Sequence, residues 1–148
     1  MKHSPSISPQ FYITSNQPCP YREGFMERKL FTTLNGEKAQ SLNDKLSQQG
    51  FRRSQNIIYR PNCQKCNSCS SVRIPVGNYE LSKSNRRILR KNNEVKRDTC
   101  APWATEDQFE LFSKYLKSRH QGGGMSEMDS YEFSSMVEES NVSTTVYE

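Results

Sequence analysis

Short apolar runs separated by long polar stretches mark this chain, and their spacing predicts alternating strands and helices. Phe11-Tyr12-Ile13-Thr14 reads as a short strand, a Pro18-Cys19-Pro20 loop follows, and Phe25 to Leu34 reads as a second strand. From Glu37 to Gln49, Ala39, Leu42 and Leu46 recur at helical spacing, and Gly50 is placed as a left-handed stop. Gln55 to Arg60 predicts a strand running into a cysteine-rich loop. Ser71 to Val76 alternates apolar and polar residues and predicts a strand leaving that loop. Lys83 to Arg97 predicts a helix. Thr105-Glu106-Asp107-Gln108, behind Pro102, has the form of a capping box. It opens a helix with a buried stripe of Phe109, Phe112 and Leu116, ending near His120, where Gly122-Gly123-Gly124 takes over. Asp129 to Glu138 predicts a short acidic helix, and Val142 to Tyr147 begins a strand. The fold class is α+β, a mixed sheet with flanking helices and a cysteine loop between two strands.

Composition limits how much of this can be packed. Hydrophobic residues are 32% of the chain and the mean hydropathy is −0.92, so the core is modest for 148 residues. No stretch approaches a transmembrane helix, and no membrane partner is expected. Residues 1–10, dominated by Ser and Pro, are expected to be disordered. The length fits one domain and part of another, with 11–100 as the first and 101–148 as the incomplete start of the second. A strand at Val142–Tyr147 with no hairpin mate leads us to expect an N-terminal fragment of a longer protein.

The strongest chemical signal is Cys63-Gln64-Lys65-Cys66-Asn67-Ser68-Cys69. Two residues between cysteines let successive sulfurs turn toward one point, as a soft metal or an iron–sulfur cluster requires. A four-thiolate site needs one more ligand, and Cys19 and Cys100 are the only other cysteines. Five cysteines fit a disulfide framework poorly, and the first 25 residues carry no apolar signal-peptide core. Iron–sulfur and zinc both satisfy the spacing.

Charge points to a polyanionic partner. Residues 1–100 hold 18 Lys and Arg against 7 Asp and Glu, whereas residues 101–148 hold 3 against 9. In the helix expected at Lys83–Arg97, the cations Lys83, Arg86, Arg87, Arg90, Lys91 and Arg97 fall within an arc of roughly 140°, with Ile88 and Val95 opposite and free to dock on the domain. An ordinary solvated face usually mixes both signs, whereas Glu94 is the single acid here, so RNA phosphate is the favoured target. No GxxxxGK[ST] or GxGxxG motif is present, so no nucleotide cofactor is indicated.

Several motifs occur in order: Cys19-Pro20-Tyr21, Glu27-Arg28, Tyr59-Arg60-Pro61 before the cysteine run, Val72-Arg73-Ile74, Ser82-Lys83-Ser84-Asn85-Arg86-Arg87, and Ser118-Arg119-His120-Gln121-Gly122-Gly123-Gly124-Met125. Together they resemble the aminoacyl-tRNA–protein transferases, in particular the bacterial aspartate/glutamate leucyltransferase branch. The resemblance implies transfer of leucine from Leu-tRNA to the N-terminal α-amine of proteins that begin with Asp or Glu, marking them for N-end rule degradation in the cytoplasm. An arginyl donor is the alternative within the family. It also implies an acetyltransferase (GNAT)-like fold, and a metal site of Cys19, Cys63, Cys66 and Cys69 holding an iron–sulfur cluster, or zinc. Lys83, Arg86, Arg87, Arg90 and Lys91 would meet the tRNA. Arg60, Arg73, Arg119 and the glycines Gly122, Gly123 and Gly124 would meet the substrate, and His120 is a candidate base. Two other classes fit the same residues: a non-catalytic RNA-binding module with a structural zinc, and a redox-sensing domain.

Overall fold

Alternation between Lys29 and Leu34 drives the first half of the structure. In this computed structural model, which describes residues 8–123 and 125–148, Thr32 and Leu34 are buried on one side of a strand whose other side carries Phe31. The elements in chain order are β1 (Tyr12–Ile13), β2 (Gln17–Pro18), β3 (Met26–Glu27), β4 (Lys29–Thr33), α1 (Ala39–Gln48), β5 (Arg52–Ser54), β6 (Ile57–Pro61), α2 (Lys83–Lys91), β7 (Thr99–Cys100), α3 (Glu106–Arg119), α4 (Ser130–Glu138) and β8 (Val146–Tyr147). The class is mixed α+β with small sheets. The chain divides into two units, one reaching to Ser71 and joined by Glu139–Ser143, the other made of Val72–Glu138 with Thr144–Glu148. Among the described residues no helix is long and apolar enough to cross a membrane.

The first unit is built on an antiparallel sheet in the order β1-β4-β6-β5. The apolar stripe of α1 supplies Ala39 and Leu46 to a core completed by Leu34, Phe51, Ile58 and Val142, with Leu30 and Leu42 against it. Gly50 follows α1 at φ +83, the left-handed stop its position predicts. Tyr12 and Phe31 stack across β1 and β4, ring centroids 5.6 Å apart. The Glu139–Ser143 segment is fastened polar group by polar group. The Asn141 N–H donates to Asn56 Oδ1 at 2.7 Å, Asn141 Nδ2 to the Leu34 carbonyl at 3.0 Å, and the Ser143 N–H to Gln40 Oε1 at 2.9 Å.

The second unit rests on α3 and α4. Thr105 and Gln108 form the expected capping box, with Gln108 Oε1 accepting from the Thr105 N–H at 3.0 Å and Thr105 Oγ1 from the Gln108 N–H at 3.3 Å. Phe109 and Phe112 pack on Phe133 at 5.6 and 5.1 Å between ring centroids, and Leu116 is buried. Glu138 Oε1 accepts from the Ala104 N–H at 2.9 Å and ties the end of α4 to the approach of α3.

Five expectations are corrected. Ser71–Val76 is not a strand: Val72 is 94% and Ile74 68% exposed, and no neighbouring strand pairs with them among the described residues. The cysteine loop therefore leaves β6 but does not enter a second strand. Gln55 and Asn56 form the β5–β6 turn rather than the start of β6, with Gln55 at φ +51. The basic helix stops at Lys91, because Asn92 turns its side chain back onto the Ile88 carbonyl at 2.9 Å and competes with the helix ladder. Ile88 and Val95 are 53% and 71% exposed, so that face is not docked. Arg97 lies beyond the helix, its guanidinium 5.4 Å from the Tyr147 ring centroid. Finally, β8 does have a mate, pairing Thr99↔Tyr147 and Cys100↔Val146. Of the N-terminal segment expected to be disordered, residues 1–7 lie outside the described residues, while the Gln10 carbonyl accepts from Thr32 Oγ1 at 2.6 Å.

Two substitutions test this account by chemical denaturation. Ile58→Ala empties a fully buried site and should cost about 2–5 kcal/mol. Thr105→Ala removes one capping oxygen and should cost about 1 kcal/mol.

Candidate functional site

The cysteine cleft is assembled from the turn of the β2–β3 hairpin and the end of the β4–β6 ladder. The turn beyond β2 carries Cys19, whose N–H donates to the Phe25 carbonyl at 2.8 Å while the Phe25 N–H donates to the Arg22 carbonyl at 3.2 Å. Gly24 allows this turn at φ +74, a conformation a side chain would strain. On the other side, the β4–β6 ladder is prolonged past its last strand pair. The Asn62 N–H donates to the Arg28 carbonyl at 2.7 Å, and Arg28 Nε returns a bond to the Asn62 carbonyl at 3.1 Å. This fixes the residue before Cys63, and the Cys63 thiol lies 3.9 Å from the Arg28 carbonyl.

Cys19, Cys63, Cys66 and Cys69 all line the resulting open cleft of about 660 Å³. Arg22 reaches across it. Its Nη1 donates to Cys66 Sγ at 3.3 Å and to Ser68 Oγ at 3.1 Å, and its guanidinium carbon lies over the Phe25 ring, 3.9 Å from the centroid. The Ser68 hydroxyl and N–H, followed by Arg22, favour the ionised sulfur and bring the Cys66 pKa down to about 7. All five cysteines are free thiols. Among the described residues, no three His, Cys, Asp or Glu side chains are gathered closely enough to hold a metal ion. The donor set nevertheless suits a soft metal or cluster: four reduced thiols border one cleft, and one of them is already favoured as thiolate.

Cys100 belongs to the other unit and to a different chemistry. Partial desolvation, then the carboxylates of Glu148 and Asp98, push its thiol pKa up. Nothing there favours a thiolate ligand.

The basic helix is presented as the sequence predicts over its first half. Ser82 caps α2, its Oγ accepting from the Asn85 N–H at 3.1 Å. Lys83, Arg86, Arg87, Arg90 and Lys91 are all exposed, and none pairs with a carboxylate among the described residues. Arg86 Nη1 donates to the Leu81 carbonyl at 2.6 Å, which holds one guanidinium at the helix start.

The remaining expected residues are dispersed. Arg60, on β6, sits with its guanidinium 4.9 Å from the Phe51 ring centroid in the first unit. Arg73 and Arg119 are exposed residues of the second unit. His120 follows α3 as its cap, with Nε2 3.2 Å from the Tyr115 hydroxyl. In the glycine turn Gly122 adopts φ +71. A Cβ on Gly123 would meet the His120 carbonyl at 3.0 Å, whereas Gly124 lies outside the described residues. Sequence reasoning missed Arg22, Ser68 and Tyr115. The spacing of Arg22 three residues after Cys19, and of Ser68 two after Cys66, was the available signal.

Comparison with known proteins finds similarity over these features. Residues 17–87 match the family model described as "Arginine-tRNA-protein transferase, N terminus". Over all 148 residues the chain is 53% identical to an aspartate/glutamate leucyltransferase of Cereibacter sphaeroides and 55% identical to one of Dinoroseobacter shibae, covering 53% and 52% of their lengths. A leucyltransferase of Paracoccus denitrificans is also 53% identical over the whole chain, which covers 53% of it. The chain thus spans about half the length of the curated relatives it matches. No solved structure matches it. The family match runs from the residue before Pro18-Cys19 through the cysteine run into the basic helix, and the similarity to the leucyltransferases extends on to Glu148.

Proposed function

We propose that this chain is part of an aspartate/glutamate leucyltransferase, which moves leucine from Leu-tRNA to the N-terminal α-amine of a protein beginning with Asp or Glu. The observation that carries this is the 53% and 55% identity, over every residue of the chain, to relatives bearing that name. The reading extends to a GNAT-like sheet in the whole protein and to action in the cytoplasm, where aminoacyl-tRNA is found.

The reaction is aminolysis of an activated ester. The amine nitrogen forms an amide bond to the leucyl carbonyl carbon, the ester C–O bond to the terminal ribose breaks, and the proton shed by the amine ends on the ribose oxygen. An α-amine titrates near 7.7–8.0, so a useful fraction is already a nucleophile at neutral pH. Positioning then supplies much of the rate. The exposed cations of α2 bind the phosphates of the tRNA acceptor arm, which A-form RNA offers by shape rather than by sequence. Arg60, Arg73 and Arg119 are the candidates for pairing with the acidic first side chain of the acceptor, a task suited to the forked guanidinium. Gly122, Gly123 and Gly124 are the candidates for offering backbone close to substrate. His120, hydrogen-bonded to Tyr115, is the candidate base. Cys19, Cys63, Cys66 and Cys69 are assigned to an iron–sulfur cluster, with zinc as the alternative. Such a group, when bound, cross-links the two loops and makes their order dependent on redox state or metal supply.

Transfer can be measured with leucine-charged tRNA and short peptides, using this chain beside the full-length Cereibacter sphaeroides relative as positive control. We expect Asp- and Glu-starting peptides to gain leucine, an Ala-starting peptide to gain none, and arginine-charged tRNA to support none with the full-length protein. Binding of tRNA by this chain without any transfer would instead favour an RNA-binding module. In the same system, Arg86→Ala/Arg87→Ala/Arg90→Ala should weaken tRNA binding and lower the slope of log affinity against log salt by roughly 2–3, at about 0.7–0.9 per lost phosphate contact.

A further inference from the structure

Among the described residues, Arg22 is the side chain in the cysteine cleft that spans from the turn bearing Cys19 to the loop bearing Cys66. Its own turn is closed by the Cys19–Phe25 and Phe25–Arg22 backbone bonds, and its guanidinium is laid on the Phe25 ring 3.9 Å from the centroid. From that platform a single nitrogen, Nη1, donates to Cys66 Sγ at 3.3 Å and to Ser68 Oγ at 3.1 Å. Residues 44 and 46 positions apart are thereby joined.

Two other cations border the same cleft and make no such contact. Lys29 is engaged by Glu27 at 3.1 Å, and Arg52 Nε donates to Ser71 Oγ at 3.4 Å. The contact with sulfur is therefore specific to Arg22 and is not a general consequence of a basic cleft. A cation that donates a hydrogen bond to a ligand sulfur acts on a metal site in two ways. It orients the ligand before the metal arrives, and it draws electron density from the sulfur once the metal is bound.

We propose that Arg22 is a positioning residue for the four-cysteine site, clasping the Cys19 turn to the Cys66 loop and hydrogen-bonding the Cys66 sulfur from outside the ligand shell. This rests on the reading of Cys19, Cys63, Cys66 and Cys69 as one metal site. Phe25 and Ser68 complete the device, the first as the ring over which the guanidinium sits and the second as the acceptor that shares its donor.

The test is an anaerobic titration of the reduced chain with Co²⁺, following the thiolate-to-cobalt charge-transfer absorption, on wild type, Arg22→Gln, Arg22→Lys, Arg52→Gln and Cys66→Ser. We expect Arg22→Gln to weaken Co²⁺ binding about 10–100-fold, the range seen when outer-shell partners are removed. Its charge-transfer band should also move to longer wavelength, because a sulfur without its hydrogen bond is a better electron donor. Arg22→Lys, which keeps the charge, should recover part of both effects, and Arg52→Gln should change neither. Wild-type affinity and band position in Arg22→Gln, with Cys66→Ser still impaired, would overturn the role of Arg22 and leave the metal site standing. Equal effects from Arg52→Gln would also overturn it, in favour of the general field of the cleft. No charge-transfer band in wild type at any Co²⁺ concentration would overturn the metal site itself and the proposal with it.

Discussion

Five consecutive residue pairs, from Lys29↔Pro61 to Thr33↔Ile57, join β4 to β6, and both the core and the cleft depend on that register. At one end the ladder continues through the Leu34 N–H to the Asn56 carbonyl at 2.7 Å, delivering Leu34 to the core beside Ile58. At the other it continues through Arg28 and Asn62, delivering Cys63 to the cleft. A slip of one residue would turn Ile58 outward and carry Cys63 away from its neighbours, because side chains alternate across a strand. The apolar side of this pairing thus protects the placement of its polar end. Burial of Leu34, Ile58 and Thr32 penalises any other register.

The cleft and Cys100 show how the same thiol is given opposite characters by its surroundings. Cys66 has a hydroxyl, an N–H and a guanidinium as donors, all of which favour negative charge on sulfur. Cys100 lies between two carboxylates and is partly desolvated, both of which oppose it. The spacing of cysteines in the chain does not carry this distinction. It arises from Ser68 and then Arg22 at Cys66, and from desolvation and then Glu148 and Asp98 at Cys100; of these, Arg22 and Glu148 are distant in sequence from the sulfur they act on.

That difference also explains how much could be read from the sequence. Elements fixed by local chemistry were legible: the Thr105–Gln108 box, the Ala39/Leu42/Leu46 stripe with its Gly50 stop, and the strand leading into Cys63. Each is decided by residues a few positions apart. Elements that need a distant partner were not. Ser71–Val76 alternates as a strand would, but an alternating pattern provides no neighbour to bond. Val146–Tyr147 looked unpaired because its mate, Thr99–Cys100, lies some 47 residues away and has no pattern of its own. Val142 was assigned to that strand, yet it is buried in the first unit, where Asn141 and Ser143 on either side fasten it. The cysteines were legible as a set, whereas the side chain clasping them was not.

The proposed reaction accounts for why binding residues stand out here and catalytic ones do not. Transfer from a charged tRNA begins with an activated ester and an amine that is already partly neutral, so the demand on a general base is small and the demand on alignment is large. A chain serving such a reaction should show its specialisation as surfaces that hold two large substrates. On the proposed reading the exposed cations of α2, none of them paired with a carboxylate among the described residues, would have that character, and so would the forked arginines Arg60, Arg73 and Arg119. A metal-clasped pair of loops would serve the same end, since rigidity in a small polar domain with a modest core must come from somewhere other than apolar burial. On the proposed reading the four cysteines and the basic helix would answer one requirement, the first by stiffening the scaffold and the second by anchoring the RNA.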